Sequence, residues 1–171
     1  VRNADDSAIA GETTTPTGTI KFNDSDGFVV STIETGGTTV LTAGDAVTQT
    51  GAISSAKLGL SGVGDYTLNL GSSGIPVNQI STFASDATGS VNFSTNLDLV
   101  IGTVNTSGDN ASTAGGSVIL STKGSDTSGN LTVGDIITSG SAAIASSGNG
   151  GGAAGMITLT SAGALLTLGG T

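Results

Sequence analysis

A chain of 171 residues with 13 acidic and 4 basic side chains, a net charge of −9, and neither cysteine nor histidine is limited in the chemistry it can perform. Disulfides, thiolate chemistry, cysteine-based zinc sites and any Ser-His-Asp triad are excluded, and Arg2, Lys21, Lys57 and Lys123 are too sparse for a nucleic-acid footprint. Aromatic residues make up 3% against 29 glycines, so the interior must be built from Val, Ile, Leu, Ala and Thr, and the chain must turn often.

Residues 1–17, VRNADDSAIAGETTTPT, are charged and interrupted by Pro16, and read as a linker, a cap or a strand donor, with Asp5 and Asp6 as tail charges. Because the chain opens on Val1 rather than Met, a processed form or a fragment is expected. The remainder, 18–171, reads as one β domain. It is organised by a recurring Gly, any residue, β-former, any residue, large apolar residue. The copies are GTIKF from Gly18, GTTVL from Gly37, GDYTL from Gly64, GSVNF from Gly89, GSVIL from Gly116 and GMITL from Gly155, spaced 19, 27, 25, 27 and 39 residues apart by subtraction. Side chains alternate along a strand, so the third and fifth positions share a face. They are Ile20 and Phe22, Thr39 and Leu41, Tyr66 and Leu68, Val91 and Phe93, Val118 and Leu120, Ile157 and Leu159. The expectation is a single row facing one continuous core.

A second strand follows most copies: FVVSTI at 28–33, AVTQTGAI at 46–53, LDLVIGTV at 97–104, LTVGDIIT at 131–138 and ALLTLG at 164–169. A helical reading fails, because apolar residues recur every two positions and Gly, Ser and Thr interrupt each stretch. Two all-β architectures remain. An antiparallel β-sandwich needs hairpin turns, and only Asp26-Gly27 and Asn149-Gly150 signal one. A parallel β-helix, or β-solenoid, of about six irregular coils fits the repeats better, as a rod roughly 30 Å long. Variable loops are expected at 102–116 and 146–155. The final stretch, GALLTLGGT, is an apolar strand without a polar cap. Such an end is expected to continue, or to dock head to tail on another copy and build a filament.

The wording of GGTTVLTAGDAVTQTGAI, VNFSTNLDLVIGTV, GGSVILST and GMITLTSAGALLTL, across roughly residues 36–171, resembles the repeats of filamentous-haemagglutinin-like bacterial adhesins of the two-partner-secretion type. That resemblance implies a right-handed parallel β-helix and a structural role outside the cell or on its surface, in adhesion, fibres or biofilm. Neither NPNL nor NPNG occurs, a departure from the secretion domain of that family, so the chain looks like an interior repeat segment and the export route is left open. The family has no catalytic residues to carry over. Its role implies host or matrix carbohydrate or protein as partners, besides further copies of the chain.

Polar candidates are few. NDSDG at 23–27 places Asp24 and Asp26 in the alternating pattern that calcium loops use, but it lacks the distal bidentate Glu; a solvated turn is the competing reading. No other cofactor is expected. Asp98 and Asp135 are the carboxylates on which a polysaccharide-cleaving or polysaccharide-binding alternative would rest; otherwise the chain is not read as an enzyme. Thr48 with Thr50, and Thr158 with Thr160, could align hydroxyls as ice-binding solenoids do, though the spacing is irregular. Sequons begin at Asn23, Asn92, Asn105, Asn110 and Asn130, a number that chance explains in so Ser- and Thr-rich a chain. No run approaches the ~18 apolar residues of a spanning helix, and an acidic surface is repelled by anionic lipid heads, so membrane insertion is not expected.

Overall fold

The computed structural model describes residues 18–70, 77–109, 113–124, 128–142, 151–163 and 165–169. The N-terminal segment with Asp5 and Asp6, and Asn110, lie outside them. Among the described residues there is no helix, and the strands form two sheets. The six-stranded sheet consists of β2 (Phe28–Val30), β5 (Val47–Gln49), β7 (Tyr66–Leu68), β9 (Val91–Thr95), β11 (Val118–Thr122) and β14 (Ile157–Thr160). The nine-stranded sheet runs β1 (Thr19–Asp24), β4 (Thr38–Ala43), β6 (Ile53–Gly62), β8 (Gln79–Ala87), β10 (Leu99–Asn105), β12 (Leu131–Val133) and β15 (Leu166–Leu168). Two short strands attach to it: β3 (Ile33–Glu34) pairs with β6, and β13 (Ile136–Ile137) pairs with β10. Every pairing is parallel, so the antiparallel alternative does not hold.

The chain moves between the two sheets, and strands adjacent within a sheet belong to successive passes. Inward side chains therefore stack in columns. On the nine-stranded sheet one column reads Ile20, Thr39, Leu58, Phe83, Ile101, Val133, Leu168. On the six-stranded sheet two columns read Phe28, Val47, Tyr66, Val91, Val118, Ile157 and Leu68, Phe93, Leu120, Leu159. The core lies between the sheets, where Phe83 of one stacks on Phe93 of the other with ring centroids 4.8 Å apart.

The six glycine-led copies do not form one row. GTIKF and GTTVL lie on the nine-stranded sheet, whereas GDYTL, GSVNF, GSVIL and GMITL lie in register on the six-stranded sheet. Thr39 and Leu41 pair with Leu58 and Leu60, not with Tyr66 and Leu68. The pattern records an inward-facing strand that follows a tight corner, and both sheets have such strands. The repeat also passes over β8, a nine-residue strand beside β6, because no glycine leads it.

Glycine leads the four copies for a steric reason. A Cβ on Gly89 would sit 2.8 Å from the Asp65 amide nitrogen, one on Gly116 would sit 2.9 Å from that of Ser90, and one on Gly155 would sit 2.8 Å from the Gly115 carbonyl oxygen. Each corner rests against the backbone of the corner before it, and only hydrogen fits between them. Buried threonines secure neighbouring corners: the Thr106 hydroxyl donates to the Gly116 carbonyl at 2.7 Å, and that of Thr138 to the Gly155 carbonyl at 3.0 Å.

Two polar side chains hold the sheets to each other. Tyr66, on β7, donates from its hydroxyl to the Ser61 carbonyl of β6 at 2.6 Å, and burial pushes that hydroxyl up to about 12. Asn78 is wholly buried. Its amide nitrogen donates to the Leu68 and Ser94 carbonyls at 2.9 and 3.0 Å, and its side-chain oxygen accepts from the Ile53 amide at 2.8 Å and from the Gln49 side chain.

Candidate functional site

The feature of this molecule that most needs a function is one end of the two sheets. β14 and β15 are the outermost strands there, and each carries the inward alternation of the strands before it. Among the described residues, no further strand lies over their inward side chains. In one column Val91 is 1% and Val118 0% exposed, whereas Ile157 is 44% exposed. In the nine-stranded sheet Leu131 is 0% exposed and Leu166, paired with it, 44%; Leu168, paired with buried Val133, reaches 69%. Met156 and Leu165 are exposed beside them. These residues have the aliphatic chemistry of a core layer but are exposed. Their strands also present an open edge of backbone donors and acceptors, which is a template for another strand.

The opposite end differs. β1 and β2 are the outermost strands there, yet Phe28 and Val30 are buried and Ile20 and Phe22 half-buried. Phe22 meets Phe28 edge to face, with ring centroids 4.6 Å apart, and this aromatic pair sits over the column that begins there. Among the described residues, an aromatic pair closes one end of the core, and aliphatic side chains are exposed at the other.

The residues predicted as a core row are therefore distributed as follows. Leu41, Tyr66, Leu68, Val91, Phe93, Val118 and Leu120 are buried, while Ile20, Phe22 and Leu159 are half-buried at the two ends. Ile157 belongs to the open face. Met156, Leu165, Leu166 and Leu168 were visible in the sequence only as members of apolar strands; their exposure depends on where the sheets end.

The candidate carboxylates have structural partners. Asp24 accepts a hydrogen bond from the Asp26 amide on Oδ1 at 3.0 Å, which closes the NDSDG turn on itself. Among the described residues no third acidic side chain joins them in a group able to hold a metal. Asp98 accepts from the Gly129 and Asn130 amides at 2.7 and 2.9 Å. The Asn130 amide above all, with that of Gly129, holds the Asp98 carboxyl below the usual aspartate range. Asp98 therefore links the turn before β10 to the turn before β12. Asp135 lies between β12 and β13, and its carbonyl accepts from the Val104 amide at 2.9 Å. It stands five positions beyond Asn130, the neighbour of Asp98 across the sheet, which is on the order of 15 Å along an extended strand. Carboxyl pairs in glycosidases stand about 5–10 Å apart. Because the folded Asp98 carboxyl is the stronger acid, its contribution to stability is complete above the ordinary aspartate range and is lost as pH falls through its lowered value. The Asp98→Ala variant should melt below the parent at neutral pH and converge with it in strong acid. A melting-temperature difference that is constant over the whole range would contradict the assignment.

The predicted threonine pairs do not form a rank. Thr48 stands beside Val29, and Thr158 beside Ile119. A more regular column lies on the outer face of the nine-stranded sheet, through Thr19, Thr38, Lys57, Thr82, Val100, Thr132 and Thr167. On the same face an open depression of about 500 Å³ passes over Gly59 and Ala84, flanked by Asp86, Thr103, Asn105 and Ile137. Of the sequons, Asn23 is exposed, while Asn105 and Asn130 use their side chains in hydrogen bonds to Asp86 and to the Leu165 amide.

No family model, curated protein or solved structure matches the chain.

Proposed function

We propose that the chain is a structural module: a parallel β-helix of about six coils that serves as a stalk or fibre unit of a bacterial adhesin, outside the cell or on its surface. The observation that carries this reading is the continuity of the inward columns, seven residues long on one sheet and six on the other, all in parallel register. In this reading ladder hydrogen bonds run along the long axis, and seven stacked strands, six spacings of about 4.8 Å, give a rod roughly 30 Å long. The function is mechanical: a stiff spacer, with acidic side chains and Gly- and Ser-rich turns keeping its surface hydrated. The extracellular setting rests on the resemblance of the repeats to filamentous-haemagglutinin-like adhesins. The open aliphatic end supports end-to-end association as the means of elongation.

Small-angle scattering and electron microscopy over a concentration series test this. The expected result is a short rod whose length grows with concentration and whose cross-section does not. A compact particle of equal axes would overturn the β-helical reading, and rods that stay short at every concentration would leave a stalk segment in place of a self-assembling fibre. The carboxylate-enzyme alternative predicts turnover on a polysaccharide panel that Asp98→Asn or Asp135→Asn abolishes.

A further inference from the structure

The depression on the outer face of the nine-stranded sheet lies midway along the stack, over β6, β8 and β10. Its floor is made of small residues on three adjacent strands: Gly59 pairs with Ala84, and a Cβ on Gly102 would lie 3.8 Å from that of Ala84. Gly59 differs from the corner glycines. It has no positive φ, and a Cβ there would meet nothing nearer than 3.8 Å. The fold accepts a side chain at that position, and glycine within a strand is destabilising. Such a glycine is characteristic of a place where another molecule approaches the backbone. β10 is irregular at the same level. Ile101 pairs with Phe83 and Val104 with Ser85, so β10 carries one extra residue there. The bulge sets Thr103 beside Gly102, and both are exposed. One wall of the depression is polar and follows the register Thr42, Ser61, Asp86, Asn105. The Thr42 and Ser61 hydroxyls are 2.7 Å apart. The Asn105 amide nitrogen donates to Asp86 Oδ1 at 3.1 Å, and Asn105 Oδ1 accepts from the Ser107 amide at 3.1 Å. Asn105 is thereby fixed in orientation, while Asp86 Oδ2 has no hydrogen bond among the described residues. Ile137, the register neighbour of Asn105, is 43% exposed at the end of this wall.

We propose that this depression binds a neutral saccharide chain lying along the stack, across the strands. Its volume of about 500 Å³ falls in the ordinary range of ligand sites. The chemistry of the walls selects the class. Backbone donors and acceptors of β6, β8 and β10 are used in parallel ladders on both sides, so an extended peptide finds no edge to pair with. The side chains offer a free carboxylate oxygen and several hydroxyls, a mixed set that suits sugar hydroxyls, each of which both donates and accepts. Ile137 offers an apolar surface for the C–H face of a ring. The polar wall repeats at the strand spacing of about 4.8 Å, close to the rise of one sugar unit in an extended glycan. Lys57, on the far side of Gly59 from the polar wall, balances Asp86, and the net charge of −9 repels a polyanion. The site lies within the stack and owes nothing to either end of it. It goes beyond the stalk reading, because a spacer needs no lateral ligand.

The probes are cellohexaose, xylohexaose, maltohexaose and mannohexaose, with a sulfated heparin hexasaccharide as the anionic counterpart. Each is titrated into isotope-labelled protein and followed by NMR. At least one neutral probe is expected to shift the amides of Gly59, Ala84, Gly102 and Asn105, with a Kd below about 1 mM. Gly59→Val fills the floor with a residue that strands favour. It should weaken binding about tenfold or more without lowering Tm, which separates loss of the site from loss of the fold. Asp86→Ala should weaken binding by a similar factor, and Thr67→Val, on the outer face of the other sheet, should leave it unchanged. If Gly59→Val melts below the parent, the exposed Asp86→Ala decides alone. The proposal is overturned if no neutral probe shifts these amides, if the sulfated probe is preferred, or if binding ignores Asp86→Ala. Scattering on the same samples keeps the two readings apart: a rod that refuses every neutral probe removes only this site, whereas a compact particle removes the rod itself.

Discussion

Replacing Asn78 by leucine is expected to destabilise the chain by about 4 kcal/mol, a fall in Tm of roughly 10 °C. Leucine has the same number and branching of side-chain heavy atoms as asparagine and prefers a buried site, so an account from shape and hydrophobicity alone would predict little loss. The loss comes from the groups left behind. The Ile53 amide and the Leu68 and Ser94 carbonyls lose their side-chain partner in a place water does not reach, and the Gln49 side chain loses its counterpart. A buried polar group left without a partner costs about 1–3 kcal/mol, and relaxation shares part of the burden. Asn78→Asp should be no better at neutral pH. A carboxylate accepts from Ile53 but cannot donate to the two carbonyls, and its charge would face their oxygens. Denaturant unfolding of the three proteins measures this, and a leucine variant within about 1 kcal/mol of the parent would show that Asn78 does not join the sheets.

The second large effect is a difference in sign between two glycine-to-alanine changes. Gly116→Ala places a methyl group 2.9 Å from the Ser90 amide nitrogen and closer still to the Gly89 backbone, with Gly155 resting on the other side. Backbone cannot rotate away as a side chain can, so a loss of about 3 kcal/mol is expected. Gly59 lies in the middle of β6, and the nearest atom to a Cβ there is Val40 Cγ2 at 3.8 Å. Alanine at that position is accommodated, and it restricts the unfolded chain, so Gly59→Ala should leave stability unchanged or raise it by about 0.5 kcal/mol. Thermal melts of the pair decide the matter. Equal losses at both positions would mean that the corners do not stack as closely as the columns require.

These two glycines also show how far the sequence could be read. Both occur in stretches rich in Gly, Ser and Thr, yet one is required by a neighbouring corner and the other is not. Gly116 carries a sequence signal, because it leads a strand with apolar residues two and four positions later. The same signal at Gly18 and Gly37 denotes the other sheet, so the pattern locates a corner without saying which sheet follows it. Asn78 carries no comparable signal: in VNQISTF it is one of several polar residues beside a strand. Its partners come from residues 49, 53, 68 and 94. The Asp98 interaction was hidden for the same reason, since its two amides lie 31 and 32 residues further on.

By itself the sequence determined that the chain is all β, that its strands bury alternate residues, and that glycine marks the corners. Those properties depend on the two-residue alternation of an extended backbone and on the space around one Cα, both local to a few residues. Only the tertiary structure decided which strands lie side by side, that Asn78 joins the sheets, and that Ile157, Leu166 and Leu168 are exposed although they lie in the inward columns. Parallel pairing joins residues from 18 apart, as in Thr82 with Val100, to 39 apart, as in Val118 with Ile157. Across such separations several inward-facing strands of nearly equal composition compete for each place. The choice among them is made by the packing of a whole layer at once.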